Sequence, residues 1–256
     1  MVKNLVSLFS RFIPRHLLQN WAAFFLRTIA FVYSGNKFED PITGKRYRKL
    51  LPYGRIVSRP NALAPHSLSL ERHRLLWLYL KERTGFFTDN LRVLHIAPEY
   101  CFLKPFKALS NLQYITADLV SPWADIKLDV RSIQYPDSSF NVIICNHVLE
   151  HIDDEQKAMS ELYRVMAPGG FGIFQVPLDP SLTQTLENPA YNTPALREKH
   201  YGQRDHVRLY GTDYAQRLRS VGFTVVEDSY VKQLAPELVD RYALPKDEII
   251  YLCKKS

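Results

Sequence analysis

The segment Tyr135–His151 constrains the fold most, because a turn, a buried strand and a polar cluster follow one another directly. Pro136 and Asp137 favour a turn, since proline fixes φ and aspartate bonds a following backbone N–H. Residues 140–145 form a short, nearly continuous apolar run, which is typical of a strand covered on both faces. The polar cluster therefore falls at the carboxyl end of a strand, where open α/β sheets bind ligands. Its members are Asn146, His147, Glu150 and His151.

Four segments of the chain resemble elements of class I S-adenosylmethionine-dependent methyltransferases of the small-molecule type. Residues 148–151 match a Val-Leu-Glu-His signature after the fourth strand, and residues 166–177 resemble the Pro-Gly-Gly turn and fifth strand. Residues 93–99 stand where the first strand and its loop are expected, and residues 114–118 where the second strand ends in an acid. The resemblance implies a Rossmann-like, doubly wound α/β fold. Its seven-stranded sheet should be mostly parallel, with the last strand antiparallel.

The 256 residues are enough to bury a full core, and we expect three parts. Residues 1–35 should form amphipathic basic helices, residues 36–67 a small ribbon-like segment, and residues 68–256 the methyltransferase domain. Within that domain, the long polar interval 178–210 is expected to act as a lid over the acceptor.

The net charge of +7 is concentrated at the start of the chain, since residues 1–60 carry a net +9 and the remainder a net −2. The predicted catalytic part is thus slightly acidic, so a nucleic-acid partner is not expected. Three widely spaced cysteines without a CxxC pair argue against a disulfide framework. A reducing, cytoplasmic location fits this pattern.

Residues 1–33 combine apolar clusters with basic side chains, which leaves two interpretations open. The apolar run from Trp21 to Tyr33 has about 13 residues and contains Arg27, whereas a spanning helix needs roughly 20. The segment is therefore either an amphipathic helix at the inner face of the membrane or a helix packed on protein.

Two tetrapeptides in the ribbon-like segment, Asp40–Thr43 and Ala64–Ser67, resemble zinc knuckles of the CPxC type without their cysteines. Tetrahedral zinc needs thiolate or imidazole ligands, so a ribbon shape without metal is expected. Two unrelated turn-forming prolines are the alternative. A serine-capped helix should follow over residues 67–80. Its polar residues Arg72–Arg74 either approach the active site or, as is more common, lie on a solvated face.

The loop after the first predicted strand lacks the glycines that normally let a backbone approach the cofactor closely. Either Glu99 binds the ammonium group of S-adenosylmethionine beside a sufficiently small Ala97, or this loop has lost cofactor binding. The resemblance implies S-adenosylhomocysteine as the product. It also implies a set of cofactor-binding residues, namely His95, Ala97, Pro98, Glu99, Asp118, Asp129, Val130, Asn146 and His147.

These residues carry different expected roles. Asp118, at the end of the second strand, should accept hydrogen bonds from the ribose hydroxyls. Asp129 should accept from the adenine amine, with Val130 against the ring. Asn146 and His147 should border the sulfonium.

Histidine titrates near neutrality, so His147 and His206 are the candidate catalytic bases, needed only if the acceptor must lose a proton. For His151, a role in tethering neighbouring loops is favoured. The predicted acceptor-binding residues lie in the lid and are Arg204, His206, Arg208 and Tyr210.

We therefore expect an enzyme that methylates an O or N atom of a small-molecule or glycan-like acceptor. A catalytically inactive binding or scaffolding protein of the same fold is the alternative, motivated by the glycine-free loop. A nicotinamide-dependent oxidoreductase is disfavoured, because no G-x-G-x-x-G follows any predicted strand. The oligomeric state cannot be read from the sequence.

Overall fold

The structure is a computed structural model that describes residues 25–54 and 57–256. Most of the predicted N-terminal helical segment therefore lies outside the described residues. Residues 25–29 are α-helical, and Ala30–Tyr33 form a 3-10 helix. Within the described ranges, no helix is both long enough and apolar enough to cross a bilayer.

The chain divides into two compact units. The first contains the described residues up to Gly85 together with Glu99–Pro105 and Tyr230–Glu248. The second contains Phe86–Pro98, Phe106–Ser229 and Ile249–Ser256. These units do not follow the three segments expected from the sequence, whose boundaries stay a prediction.

A seven-stranded sheet is the centre of the second unit. Its strands are β5 (Leu91–Ile96), β6 (Leu112–Asp118), β7 (Ile126–Lys127), β8 (Phe140–Cys145), β9 (Met166–Ile173), β10 (Thr224–Asp228) and β11 (Ile250–Lys254). The spatial order is β10-β11-β9-β8-β5-β6-β7, and only β11 runs antiparallel to its neighbours. This confirms the predicted Rossmann-like α/β sheet, mostly parallel with an antiparallel strand near one edge.

Strand β8 shows why the central strands were readable from the sequence. Every residue of β8 except Asn141 is buried, because both faces of a central parallel strand are covered. Asn141 instead accepts a hydrogen bond from the Arg92 backbone N–H at 2.9 Å. Apolar residues from the strands and from the following helices complete one continuous core in this unit.

Three α-helices lie within the described residues of the second unit. They are α3 (Glu155–Val165), α4 (Pro194–Tyr201) and α5 (Tyr214–Arg219). In the sequence, Asp153 and Gln156 are spaced like a capping box, but Asp154 caps α3 by accepting from the Lys157 backbone N–H at 3.0 Å. Thr212 is a suitable cap in the sequence, but Asp213 stands at the start of α5. Gly222, with a φ of +111°, follows this helix in a backbone conformation that favours glycine.

The first unit contains two short antiparallel hairpins. Strand β1 (Ser34–Glu39) pairs with β2 (Arg46–Tyr47), and β3 (Leu51–Tyr53) pairs with β4 (Arg59–Leu63). The fully buried Asp40 accepts from Thr43 Oγ1 at 2.8 Å and from Ser69 Oγ at 3.2 Å. These bonds connect the two regions that hold the predicted knuckles. The relation to a zinc ribbon stays a prediction.

Helix α1 (Glu71–Arg83) starts at Glu71, so the predicted Ser67 cap is wrong. The expected solvated face is also wrong, because His73 and Arg74 are buried. Arg74 donates to the carbonyl oxygens of Ala62, Ser69, Tyr242 and Ala243, which compensate its charge. Burial lowers the pKa of Arg74 to about 10. Two further α-helices among the described residues are α2 (Tyr100–Lys107) and α6 (Pro236–Arg241), and Tyr230–Gln233 form a 3-10 helix.

Candidate active site

Three central strands end side by side at one edge of the sheet. In the sheet register, Ile96 of β5 pairs with Ala117 of β6 and with Cys145 of β8. The three residues that directly follow these paired positions must then lie next to one another. All three are predicted cofactor-binding residues. They are Ala97, Asp118 and Asn146. The carboxyl edge of a parallel sheet is where this fold class binds its ligands.

Ala97 adopts the left-handed backbone conformation, with a φ of +49°. Its N–H donates to the carbonyl oxygen of Ala117 at 2.8 Å, which extends the pairing of β5 and β6 beyond the strand. Glycine normally occupies such a position, because a Cβ atom is disfavoured there. The loop thus has a glycine-like backbone despite its sequence, which favours the variant-loop interpretation. Pro98 is buried after it, while Glu99 belongs to the first unit.

Asp118 has one carboxylate oxygen committed to its own loop. Its Oδ1 accepts from the backbone N–H groups of Val120 at 2.7 Å and Ser121 at 2.6 Å. Asp118 also lines a cavity of about 400 Å³ formed by its loop and the start of β7. Among the described residues, Oδ2 has no hydrogen-bond donor, so it remains available to a ribose hydroxyl.

Asp129 is more strongly engaged. Its two carboxylate oxygens accept from the Arg131 guanidinium at 2.7–3.2 Å, and Oδ1 also accepts from the Arg131 backbone N–H. Hydrogen bonds from Arg131 lower the pKa of Asp129. An adenine amine would have to share this carboxylate with Arg131. Val130 is buried in the core, which limits the contact that its side chain can make with a ring.

Asn146 and His147 are held against the segment that follows β9. Asn146 Oδ1 accepts from the Gln175 N–H at 3.2 Å, and the His147 N–H donates to the Gln175 carbonyl at 2.7 Å. His147 also has a left-handed φ of +54°. Its Nδ1 lies 3.5 Å from Glu150 Oε1. The buried amide of Asn146 therefore orders the edge of the sheet, and the His147 ring projects beside Glu150.

His95 is fully buried inside β5. Its Nδ1 lies 2.7 Å from the Tyr114 hydroxyl, and its ring packs against Phe106 and Tyr114. His95 was predicted to bind the cofactor, but its ring is enclosed by protein. Any contact from this position would come from the backbone.

Arg208 and Tyr210 in the lid were predicted to bind the acceptor, and both are buried and hydrogen-bonded within the protein. Arg208 is 1% exposed and donates to the carbonyl oxygens of Leu149, Ile152 and Asp153. The Tyr210 hydroxyl donates to Glu155 Oε2 at 2.5 Å, and burial raises the pKa of Tyr210. These bonds fix the lid to the chain after β8, so neither side chain is free to bind a ligand.

The other two lid residues differ in exposure. Arg204 is exposed and lies 3.4 Å from Glu198, so it remains accessible. His206 is buried, and its ring packs edge-on against His151 with the ring centroids 4.8 Å apart. Burial lowers the pKa of His206. His151 Nδ1 lies 3.3 Å from the Asp205 carbonyl oxygen, which fits the predicted tethering role.

Sequence reasoning missed the importance of Glu150. Its side chain is buried, in the middle of a 3-10 helix, Leu149–His151, and lies close to both His147 and His206. An acid directly after a buried strand was a visible signal. The proximity of Glu150 to His206 could not be seen in the sequence, because it depends on how the lid segment folds back toward the sheet.

The sequence of residues 83–228 matches the family model described as "Methyltransferase domain". Because this match covers more than half of the chain, the chain belongs to the methyltransferase-domain family. Membership confirms the predicted family and supports S-adenosylmethionine as the cofactor. The left-handed backbone of Ala97 and the available Asp118 oxygen fit that cofactor. The ion pair between Arg131 and Asp129 leaves less of the Asp129 carboxylate available to the adenine amine.

Solved structures with a similar fold include the [4+2]-cyclase SpnF, with a TM-score of 0.51 at 15% identity. That alignment covers 90% of this chain and 91% of SpnF. YcgJ from Bacillus subtilis aligns with a TM-score of 0.46 at 16% identity, over 72% of this chain and 99% of YcgJ. No curated protein matches the chain in sequence. At these identities the structural neighbours show the fold alone.

Proposed function

We propose that this protein transfers a methyl group from S-adenosylmethionine to an O or N atom of a small-molecule or glycan-like acceptor. The adjacent positions of Ala97, Asp118 and Asn146 at the carboxyl edge of the sheet carry the proposal. When bound, the cofactor supplies an electrophilic methyl group. The protein's own contribution is to bind the cofactor and to hold the acceptor atom in line with that group.

Asp118 and Ala97 are the main cofactor-binding positions in this proposal. Asp118 Oδ2 accepts from a ribose hydroxyl while Oδ1 keeps its loop bonds. Ala97 has the left-handed backbone conformation usual for glycine and a small side chain, so that the methionine part can approach its backbone closely. Asp129 contacts the adenine amine while it shares its carboxylate with Arg131.

The acceptor binds on the same side of the sheet, covered by the lid of residues 178–210. Arg204 is the exposed lid cation that we assign to an anionic group on the acceptor. His147 lies next to the reacting atoms. An acceptor that has no proton to lose needs neither predicted base, so methyl transfer by positioning alone is sufficient there.

The competing proposal is a protein of this fold that binds a ligand without methylating anything. One neighbour of the same fold is named as a [4+2]-cyclase, so fold alone does not decide the reaction. The glycine-free loop at Ala97 motivates this alternative.

Cofactor turnover distinguishes the two. The full chain would be incubated with methyl-labelled S-adenosylmethionine and a panel of phenols, amines and glycosides, and labelled products would be separated chromatographically. We expect label in at least one acceptor, with stoichiometric S-adenosylhomocysteine, and loss of both in the Asp118→Ala variant. Tight cofactor binding without label in any acceptor class would favour the binding protein.

We also propose a peripheral contact between the start of the chain and anionic lipid. Phe25, Phe31 and Val32 are 63%, 74% and 48% exposed, although large apolar side chains are normally covered. Residues 1–60 carry a net charge of +9, which complements an anionic membrane surface. This cytoplasmic-face location is consistent with the absence of CxxC pairs.

Vesicle co-sedimentation tests the membrane contact. We expect the full chain to pellet with vesicles that contain phosphatidylserine and to pellet less with pure phosphatidylcholine. The double variant Phe25→Ser, Phe31→Ser should reduce pelleting. Val57→Ser, which removes another exposed apolar side chain, is the matched control. Equal pelleting of the double variant and the wild type would refute this proposal.

A further inference from the structure

We propose that Glu150, His151 and His206 bind a divalent transition-metal ion. Each residue offers one ligand atom, and the three atoms lie within 4.8 Å of one another. Glu150 and His151 come from the 3-10 helix after β8, whereas His206 comes from the lid. The site is additional to the methyltransferase proposal and does not depend on it.

Hydrogen bonding orients both imidazole rings for metal binding. His206 Nδ1 lies 3.2 Å from the Tyr201 carbonyl oxygen, and His151 Nδ1 lies 3.3 Å from the Asp205 carbonyl oxygen. A carbonyl oxygen only accepts, so the proton of each neutral ring belongs on Nδ1. The lone pair of each ring is then on Nε2. Histidine ligands of metals typically donate their other N–H to a backbone carbonyl in this way.

Two of the ligand groups are buried without a hydrogen-bond partner. Glu150 and His206 are 1% and 2% exposed. Among the described residues, Glu150 Oε2 and His206 Nε2 have no hydrogen-bond partner. Buried polar atoms are nearly always satisfied, because leaving one unbonded is costly. A cation between these two atoms satisfies both, and the other Glu150 oxygen already lies near His147.

The ligand types select the metal. Two imidazoles and one carboxylate suit Zn²⁺, Fe²⁺ or Mn²⁺, whereas Mg²⁺ and Ca²⁺ prefer oxygen ligands. Zinc bond lengths place two ligands of one ion roughly 3.4 Å apart, so the present separations must shorten when metal binds. His151, whose side chain is 33% exposed, has room for that movement. Three protein ligands leave an open coordination position for water or another ligand.

The sequence alone predicted no metal, because its knuckles lack ligands and His206 is distant from Glu150 along the chain. The fold brings the lid histidine to the acid. A metal in this position would link the lid to the segment after β8, alongside the protein bonds made by Arg208.

Metal binding by the full chain tests the proposal. Protein stripped with a chelator would be titrated with Zn²⁺, Mn²⁺ and Mg²⁺ by calorimetry, and bound metal would be measured by mass spectrometry after dialysis. We expect one Zn²⁺ per chain and much weaker Mg²⁺ binding. Glu150→Gln and His206→Gln should each weaken Zn²⁺ binding at least about tenfold. His200→Gln, which removes a lid imidazole stacked on Tyr191, is the matched control and should bind as wild type.

Circular dichroism would establish that each variant is folded. The His151→Gln variant removes a proposed metal ligand whose side chain is partly exposed, so this substitution should not disturb the core. Co²⁺ added to the stripped protein should give a ligand-field absorption spectrum that disappears in His151→Gln. The proposal is overturned if the wild type binds no stoichiometric Zn²⁺ or if the folded variants bind it equally well. Equal affinities for Mg²⁺ and Zn²⁺ would also overturn it. S-adenosylhomocysteine binding by the same protein is measured separately, so failure of the metal site is distinguishable from failure of the proposed enzyme function.

Discussion

The backbone N–H of Ala97 donates to the carbonyl oxygen of Ala117 at 2.8 Å while Ala97 holds a φ of +49°. The bond fixes the exit of β5 against β6 at the edge where the cofactor is expected. An alanine in this conformation costs roughly 1–2 kcal/mol, which glycine avoids. Ala97 thus takes the backbone conformation that glycine usually takes in such a loop, and alanine is the smallest residue with a Cβ atom.

Substitutions at Ala97 should therefore follow backbone preference. Ala97→Val should lower the free energy of unfolding by at least about 1 kcal/mol, because β-branched residues are strongly disfavoured at positive φ. It should also weaken S-adenosylhomocysteine binding at least about tenfold, since the added methyl groups stand on the loop. Ala97→Gly should bind S-adenosylhomocysteine as wild type does and should be at least as stable, because glycine avoids the cost of a Cβ atom at positive φ. Urea denaturation and calorimetry measure the two quantities, and identical values for the valine and glycine variants would contradict the role of this loop.

Asp118→Asn separates the loop function of Asp118 from its ligand function. Asparagine keeps the oxygen that accepts from Val120 and Ser121, so stability should change little. Loss of the charged acceptor should weaken S-adenosylhomocysteine binding about tenfold or more, since a hydrogen bond to a charged group contributes roughly 1.5–3 kcal/mol. Asp179→Asn alters a similar turn, in which Asp179 accepts from Ser181, and should bind as wild type. Unchanged affinity in Asp118→Asn would remove Asp118 from the cofactor site.

Arg208 and Arg204 should differ sharply in their effect on stability. Arg208→Gln should lower the free energy of unfolding by roughly 3 kcal/mol, because buried carbonyl groups and Glu187 lose their donor. Arg204→Gln should change it by less than about 0.5 kcal/mol, since the pair with Glu198 is exposed. Urea denaturation compares the two. Similar losses for both arginines would mean that the buried bonds of Arg208 do not support the lid.

Glu161 gives a pH-dependent prediction. Its carboxylate accepts from Arg164 Nε at 2.7 Å and from the Ile133 N–H at 2.8 Å, and the Arg164 bond is the main cause of its lowered pKa. A lowered folded-state pKa stabilises the protein above the ordinary value of 4.5 and loses that effect as pH falls through the folded value. Glu161→Gln should therefore cost about 1 kcal/mol at neutral pH. The difference should shrink in acid, and a constant difference at all pH values would contradict the assignment.

The sheet could be predicted because its strands are covered on both faces. Such strands read as short apolar runs, as Phe140–Cys145 does, and their polar successors mark the carboxyl edge. Helix starts were less accurate. Asp153 and Asp154 both suit a cap, and only the backbone geometry decides that Asp154 accepts from Lys157.

Buried polar residues were the main failures. Arg74 was expected on a solvated face and Arg208 at the acceptor, yet each donates to several backbone carbonyls from distant segments. Tertiary packing creates those acceptors, so no local pattern could indicate them. His95 is a similar case. Its apolar neighbours predicted strand β5, but nothing nearby in the sequence indicated that its ring would hydrogen-bond to the Tyr114 hydroxyl.

Calorimetric titration of the full chain with S-adenosylhomocysteine tests the central claim most directly, since it asks whether the glycine-free edge binds the cofactor product. We predict one saturable site per chain, weakened by Ala97→Val and Asp118→Asn and retained in Ala97→Gly. At a ligand concentration one hundred times the dissociation constant, binding should also stabilise the folded chain by about 2.7 kcal/mol. No binding heat and no thermal stabilisation at millimolar ligand would contradict the account.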